Sequence, residues 1–192
     1  MFLNLPTLLT WARIVAIPLI VGLFYLPWPA HEVNLAASVL FIVVALTDWL
    51  DGWLARRLNQ TSAFGAFLDP VADKFLVCAS LLVLLDLHRV EVLVALIIIG
   101  REIAISALRE WMASIGASRS VAVHVLGKLK TASQMVAIVL LLFDGELLPG
   151  VLPSLHTRVW GTWLIYIACG LTIWSMVYYL QKALPAIRDK VK

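Results

Sequence analysis

Residues 48–56 place their polar side chains along one side of a helix. The segment reads Asp-Trp-Leu-Asp-Gly-Trp-Leu-Ala-Arg. With about 100° between successive residues, an arc of roughly 140° contains Asp48, Asp51, Gly52, Ala55 and Arg56. The tryptophans and leucines fall outside that arc. One side of this helix therefore carries two carboxylates, a residue without a side chain and a guanidinium group.

Two further carboxylates follow on the next predicted helix. Asp69 and Asp73 are separated by three residues, so they share one face of a helix. The link at residues 57–63 is short and polar, which favours a tight helical hairpin. Such a hairpin brings the two pairs of carboxylates together.

Four neighbouring carboxylates in a largely apolar chain require a compensating cation, because they repel one another and are costly to remove from water. A cluster of oxygen ligands favours Mg²⁺, Mn²⁺ or Ca²⁺ over zinc. With a phosphate as a further ligand, such a cluster supports metal-assisted phosphoryl transfer. The structural alternative is that the aspartates only form ion pairs with Arg56, Arg57 and Lys74 at a helix end. The alignment of the polar residues on one side favours the metal.

A second polar group is cationic. Arg101 and Arg109 are about 80° apart around a helix, so both line one side of it. An arginine in an apolar helix is costly unless it is paired with an anion. With Lys128 these residues predict a cationic pocket beside the aspartates, since guanidinium and ammonium groups both bind phosphate. The alternative is that Glu102, Glu110 and lipid headgroups neutralise them.

The composition predicts an integral membrane protein. Of 192 residues, 62% are hydrophobic and 14% are charged, whereas a soluble domain has about 25% charged residues. The net charge of +3 suits anionic lipid and phosphorylated substrates, and no nucleic-acid-binding motif is found. We expect residues 1–192 to form a single membrane domain.

Six apolar runs predict an all-α fold with six transmembrane helices, because each is near the ~20 residues that cross a bilayer. Their approximate bounds are 8–26, 34–57, 65–87, 90–112, 121–143 and 158–180. A short amphipathic helix is expected before them, since Pro6 breaks a helix that runs through from the start. Pro70 is expected in an opening turn, which places Asp69 and Asp73 at the start of the third helix.

The distribution of basic residues predicts the orientation. If both termini, the motif hairpin and the connection between helices four and five share one side, that side holds all but two of the 15 lysines and arginines. The exceptions are Arg89 and Arg158. The positive-inside rule then places the motif and both termini in the cytoplasm.

The aspartate motif also resembles a known family. The spacing Asp-x2-Asp-Gly-x2-Ala-Arg-x8-Gly-x3-Asp-x3-Asp is the signature of the CDP-alcohol phosphotransferases, or class-I CDP-alcohol phosphatidyltransferases. Every named position of that signature is matched between Asp48 and Asp73. The similarity extends over nearly the whole chain, through residues 4–13, 101–110 and 127–131.

The resemblance implies an activity and a set of cofactors. It implies transfer of a phosphatidyl group from CDP-diacylglycerol to glycerol 3-phosphate, with release of CMP, as a step in phospholipid biosynthesis. It also implies two divalent ions, Mg²⁺ or Mn²⁺, and a homodimer in the cytoplasmic (inner) membrane of a bacterium.

The resemblance further implies residue roles. The metal ligands are Asp48, Asp51, Asp69 and Asp73. The CDP-binding residues are Asp48, Gly52, Arg56 and Gly65. The acceptor phosphate is bound by Arg101, Arg109 and Lys128. In the family pattern Asp73 also acts as the general base on the acceptor hydroxyl.

Two alternatives remain open from the residues alone. The same chemistry with another alcohol, such as inositol phosphate or serine, requires only a different acceptor pocket, although the cationic residues disfavour an unphosphorylated acceptor. A cation or proton transporter also places carboxylates in a membrane. Transporter carboxylates lie near the bilayer midplane, whereas these are predicted at the cytoplasmic ends of two helices.

Overall fold

The computed structural model describes most of the chain. The backbone is described for residues 5–58, 63–114, 125–146 and 156–190. Side chains are described for residues 8–47, 65, 67–114, 127, 129–146 and 156–181. All structural statements below concern these ranges.

The regular secondary structure of the described residues is entirely helical, which confirms the all-α prediction. The helices are α1 (Leu5–Leu23), α2 (Ala30–Leu58), α3 (Ala63–Asp86), α4 (Val92–Ser114), α5 (Val125–Phe143) and α6 (Thr157–Lys190). The described residues contain no strand; one isolated bridge pairs Glu146 with His156 across the α5–α6 connection.

Two helices are long and apolar enough to cross a membrane by length and composition, at Ala30–Thr47 in α2 and Thr157–Gln181 in α6. Shorter apolar stretches lie in α1 and α5, at Leu8–Leu23 and Leu129–Phe143. A crossing by all six helices stays a prediction. The helices themselves correspond to the six predicted runs.

The first helix begins and ends three residues earlier than predicted, and the last helix is longer than predicted. In the described residues no separate amphipathic helix precedes α1, which begins at Leu5 and includes Pro6 in its first turn. A proline is tolerated there because its missing N–H would have no helical partner at that position. Helix α6 continues to Lys190, so the predicted basic tail beyond residue 180 is largely helical.

The prediction that Pro70 lies in an opening turn is wrong. Helix α3 begins at Ala63, and Pro70 lies inside it. Asp69 and Asp73 therefore occupy the second and third turns of α3. The residues that precede Pro70 are helical. The α3 backbone therefore accommodates both the proline ring and the loss of the hydrogen bond that proline cannot donate.

All six helices contribute to one apolar core. Its fully buried members include Ile17, Phe41, Leu76, Leu81, Ile98, Ile138, Leu141 and Ile165. Many large apolar side chains also face outward, among them Leu19, Leu93, Trp163 and Trp174. An apolar exterior on several helices is typical of a protein surrounded by lipid.

Helices α5 and α6 pack closely at Gly161. A Cβ atom added to Gly161 would lie 2.7 Å from Cγ of Leu141. A side chain at this position would therefore push the two helices apart. The absence of a side chain fixes α5 against α6, and α5 carries several residues of the cavity described below.

Arg89 joins three elements at the end of the bundle where α3 meets α4. Its Nη1 atom donates to the carbonyl oxygens of Leu141 at 3.0 Å and Leu142 at 2.9 Å, at the end of α5. Its Nη2 atom donates to Asn34 Oδ1 at 3.0 Å, and Nε lies 3.1 Å from Asp144 Oδ2. Burial lowers the pKa of Arg89, and the carboxylate of Asp144 opposes that shift.

We expect Arg89→Met to destabilise the protein strongly. The substitution leaves two C-terminal carbonyls of α5 without their donor and weakens a nearly buried ion pair, at a cost of about 3 kcal/mol or more. The midpoint of thermal unfolding in detergent should fall by about 5 °C or more.

Arg158→Met is the matched control. Arg158 lies 3.9 Å from the same Asp144 carboxylate, but its side chain is 52% exposed. The midpoint should change little, because exposed ion pairs contribute at most about 1 kcal/mol. Equal midpoints for the two variants would contradict the role of Arg89.

Candidate active site

Helix α3 presents two carboxylates of the motif on one face. Asp69 and Asp73 are both partly buried. The hydroxyl of Thr10, itself 1% exposed, donates to Oδ1 of Asp69 at 2.5 Å. A hydroxyl that donates to an ionised carboxylate forms a strong, directional hydrogen bond. Helix α1 thus fixes the orientation of one of the acidic groups.

The other half of the motif lies in α2. Asp48, Asp51, Gly52 and Arg56 belong to the helix, and their side chains lie outside the described residues. Helix α2 ends at Leu58 and α3 begins at Ala63, so only a short connection separates the two halves of the motif. The meeting of the two carboxylate pairs stays a prediction.

A cavity of about 690 Å³ lies among helices α3, α4, α5 and α6. Its charged lining residues are Asp73, Lys74, Arg101, Glu102 and Arg109. Its neutral polar lining residues include Ser106, Thr131, Gln134 and Tyr179. The structure therefore brings an aspartate of the motif together with both predicted arginines. Lys128 lies in α5 with its side chain outside the described residues, and Gly127 beside it lines the cavity.

A buried ion cluster contributes Arg101 and Glu102 to the inner wall of this cavity and includes Lys130 beside them. One oxygen of Glu102, Oε1, accepts a hydrogen bond from Nη1 of Arg101 at 3.0 Å and also pairs with the ammonium group of Lys130. Arg101 is 8% exposed and Lys130 is 1% exposed. Glu102 neutralises Arg101 only in part, because it is shared with Lys130. The three groups together carry a net charge of +1.

Arg101 retains capacity for an anion. Its Nη2 atom lies 3.4 Å from the hydroxyl oxygen of Ser175, which is a long hydrogen bond. Its buried Nε atom has no hydrogen-bond partner among the described residues. A guanidinium group with free donors is suited to binding a phosphate.

Arg109 lies two turns further along α4, about 12 Å from Arg101 along the helix axis. Its guanidinium carbon lies 5.5 Å from the centroid of the Tyr179 ring. The ring is nearly buried and holds the exposed guanidinium group at the side of the cavity through a cation–π contact. The two arginines thus mark a deep and a superficial position in the same cavity.

Sequence reasoning did not select Lys130, Gln134 or Tyr179 as candidate site residues. A signal for the α5 residues was present. Gly127, Thr131 and Gln134 recur at helical spacing in α5 and line the cavity. Lys130 lies four residues before Gln134, so both fall on the inner side of α5.

Part of the predicted metal site is described. The donor set fits a hard divalent cation, because Asp69 and Asp73 supply carboxylate oxygens one helical turn apart. Among the side chains that the structure describes, no group of three or more His, Cys, Asp or Glu residues is placed to hold a metal ion. The remaining predicted ligands, Asp48 and Asp51, fall outside those side chains.

A larger cavity of about 900 Å³ lies at the opposite end of the bundle and is lined by Asp86, Arg89, Glu91 and Arg158 among others. It contains no residue of the motif. Arg89 in this cavity is already bound to three backbone or side-chain oxygens and to Asp144. The chemistry indicated by the motif belongs to the smaller cavity.

Comparison with known proteins identifies the class. The model of the CDP-alcohol phosphatidyltransferase family matches residues 3–174, and this chain belongs to that family. It is therefore an enzyme, and the alternative of a transporter is set aside.

Curated bacterial relatives match almost the full chain. The proteins from Escherichia coli (strain K12) and Shigella flexneri serotype 5b (strain 8401) are 46% identical over 191 residues. The alignments cover 97% of this chain and 98% of each relative. Both relatives are named CDP-diacylglycerol–glycerol-3-phosphate 3-phosphatidyltransferase.

Because Glu102 is shared by two cations, we predict that a second substitution partly restores the thermal stability that the first one removes. Glu102→Gln removes the carboxylate that contacts both Arg101 and Lys130, and loss of one partner of a buried ion pair costs about 3–5 kcal/mol. Glu102→Gln combined with Lys130→Met removes one carboxylate and one ammonium group, so that a single cation remains. The double variant should recover part of the thermal midpoint lost by Glu102→Gln.

The measurement is the thermal midpoint of the wild type, both single variants and the double variant in detergent. A coupling of about 1 kcal/mol or more is expected, since the two side chains are in contact. Additive losses would show that the ion pair does not contribute to stability.

Proposed function

We propose that this enzyme transfers the phosphatidyl group of CDP-diacylglycerol to glycerol 3-phosphate, forming phosphatidylglycerol phosphate and CMP in phospholipid biosynthesis. The observation that carries the proposal is the cavity in which Asp73 lies with Arg101 and Arg109. It joins an acidic group of the motif to a cationic wall suited to a phosphorylated acceptor. The names of the relatives support glycerol 3-phosphate as that acceptor.

Each substrate has its own set of residues. The CDP group binds along α2 and the start of α3, at Asp48, Gly52, Arg56 and Gly65. The acceptor phosphate binds Arg101, Arg109 and Lys128. The buried cluster around Glu102 has a net positive charge, and a phosphate monoester carries a charge of about −1.5 to −2 at pH 7. These opposite charges support binding of the acceptor phosphate beside the cluster.

Asp48, Asp51, Asp69 and Asp73 hold the divalent ions, Mg²⁺ or Mn²⁺, with two ions as the expected number. Bound ions of this kind neutralise charge that develops on transferring phosphoryl groups. The described residues fit this role, because Asp69 and Asp73 share a face of α3 and Thr10 orients Asp69. Thr10 acts on the site through Asp69 and is a positioning residue.

Asp73 receives the proton in the transfer step. The primary hydroxyl of glycerol 3-phosphate attacks the phosphorus atom that bears diacylglycerol, and a new P–O bond forms. The P–O bond to CMP breaks and CMP leaves, while the hydroxyl proton passes to a carboxylate oxygen of Asp73. Arg101 and Arg109 hold the acceptor by its phosphate, so its hydroxyl is directed towards α3.

The chain functions as a single domain that crosses the bacterial inner membrane six times, with both termini and the cavity on the cytoplasmic side. Outward-facing apolar side chains on several helices support lipid contact. The excess of basic residues on one side supports the orientation. We expect a homodimer on the basis of the family resemblance.

The proposed function is tested by measuring CMP release from CDP-diacylglycerol in detergent with Mg²⁺ or Mn²⁺. We expect release with glycerol 3-phosphate and none with serine, inositol phosphate, phosphatidylglycerol or no acceptor. Chelation should abolish release, and added Mg²⁺ should restore it. Release with a different alcohol would overturn the acceptor assignment, and release unaffected by chelation would overturn the metal assignment.

Asp73→Asn should lower the rate of CMP release by about 10²-fold or more, because it removes the proton acceptor and the negative charge of one metal-binding carboxylate. The thermal midpoint should remain near that of the wild type. Asp86→Asn is the matched control, since Asp86 is an exposed aspartate at the other end of α3. Near-normal turnover by folded Asp73→Asn would contradict the role of Asp73.

A further inference from the structure

Gln134 is a buried amide whose carbonyl oxygen lacks a hydrogen-bond partner within the described part of the chain. It lies in α5, is 2% exposed and lines the cavity that holds Arg101 and Asp73. Its Oε1 atom has no partner among the described residues. Leaving such a group unpaired costs about 1–3 kcal/mol, so its presence in the wall of a binding cavity points to a ligand.

The other neutral polar groups of this wall are already engaged. The hydroxyls of Ser106 and Thr131 donate to the backbone carbonyls of Glu102 and Gly127 in their own helices. The hydroxyl oxygen of Tyr179 accepts from Arg109 at 3.5 Å. Gln134 therefore differs from these neighbours in having a buried polar atom, Oε1, that has no partner in the described ranges.

The charged groups account for two of the three polar parts of the acceptor. Under the proposed function, the phosphate binds Arg101 and Arg109, and the reacting primary hydroxyl faces Asp73. The secondary hydroxyl of glycerol 3-phosphate remains. A hydroxyl both donates and accepts, and an amide offers both a carbonyl oxygen and an N–H group. The secondary hydroxyl can therefore donate to the unpaired Oε1 atom of Gln134.

We propose that Gln134 binds the secondary hydroxyl of the acceptor and selects glycerol 3-phosphate over phosphorylated alcohols that lack this group. The inference rests on the proposed function. A site built to bind a hydroxyl discriminates against an analogue without it, because the buried polar group is then left unpaired. Gln134 is thus a specificity residue, distinct from the residues that bind phosphate.

The test compares two acceptors in the wild type and in Gln134→Met. 3-Hydroxypropyl phosphate retains the phosphate and the primary hydroxyl and lacks the secondary hydroxyl. For each protein, kcat/KM is measured by CMP release with glycerol 3-phosphate and with 3-hydroxypropyl phosphate. Gln181→Met is the matched control, since Gln181 is exposed on α6.

The wild type and Gln181→Met should prefer glycerol 3-phosphate by about tenfold or more. Gln134→Met should lose most of that preference, through a lower kcat/KM for glycerol 3-phosphate and a nearly unchanged value for the analogue. The ratio of the two values within one protein does not depend on the fraction that is folded. A partial loss of folding therefore leaves the comparison valid.

An unchanged preference in Gln134→Met, or no preference in the wild type, would overturn this inference and leave the proposed function standing. Absence of CMP release by the wild type with glycerol 3-phosphate, together with release on another alcohol, would overturn the proposed function and this inference with it. The two failures are thus distinguished by the wild-type measurement.

Discussion

The carboxylate of Glu102, shared between Arg101 and Lys130, is the interaction on which the candidate site depends. Two cations from different helices are nearly removed from water, and one oxygen atom contacts both. Without that carboxylate the cations would repel one another and the inner wall would be too costly to bury. With it, α4 and α5 are held together and the wall keeps one net positive charge, which a phosphorylated acceptor can neutralise.

The position of α5 is set from both ends of the bundle. At the cavity, Lys130 pairs with α4 through Glu102. At the opposite end, Arg89 binds the last carbonyls of α5, and Gly161 allows α6 to pack against Leu141. Because α5 is fixed by these contacts, the polar residues on its inner side face the same cavity as the arginines of α4 and the aspartate of α3.

The fold was largely predictable from the sequence, and each error in the prediction has a local cause. Apolar runs placed all six helices, since such runs form helices wherever backbone groups must be paired internally. The two errors at prolines arise from treating Pro6 as a helix break and from allowing Pro70 only in an opening turn. Pro6 lies in a first turn, where its missing N–H costs nothing, and Pro70 lies within α3. The extension of α6 was missed because its polar end lacks the apolar pattern.

The amino-acid sequence by itself determined the class of chemistry. The spacing of Asp69 and Asp73 fixes them on one helical face, since helical periodicity acts over a single turn. Only the tertiary structure decided which distant groups meet: Glu102 contacts Lys130, Thr10 contacts Asp69, and Gln134 lines the same cavity as the arginines. The physical reason is that helix periodicity fixes the face of a side chain within its own helix, whereas the rotation and contacts of packed helices decide what that face meets.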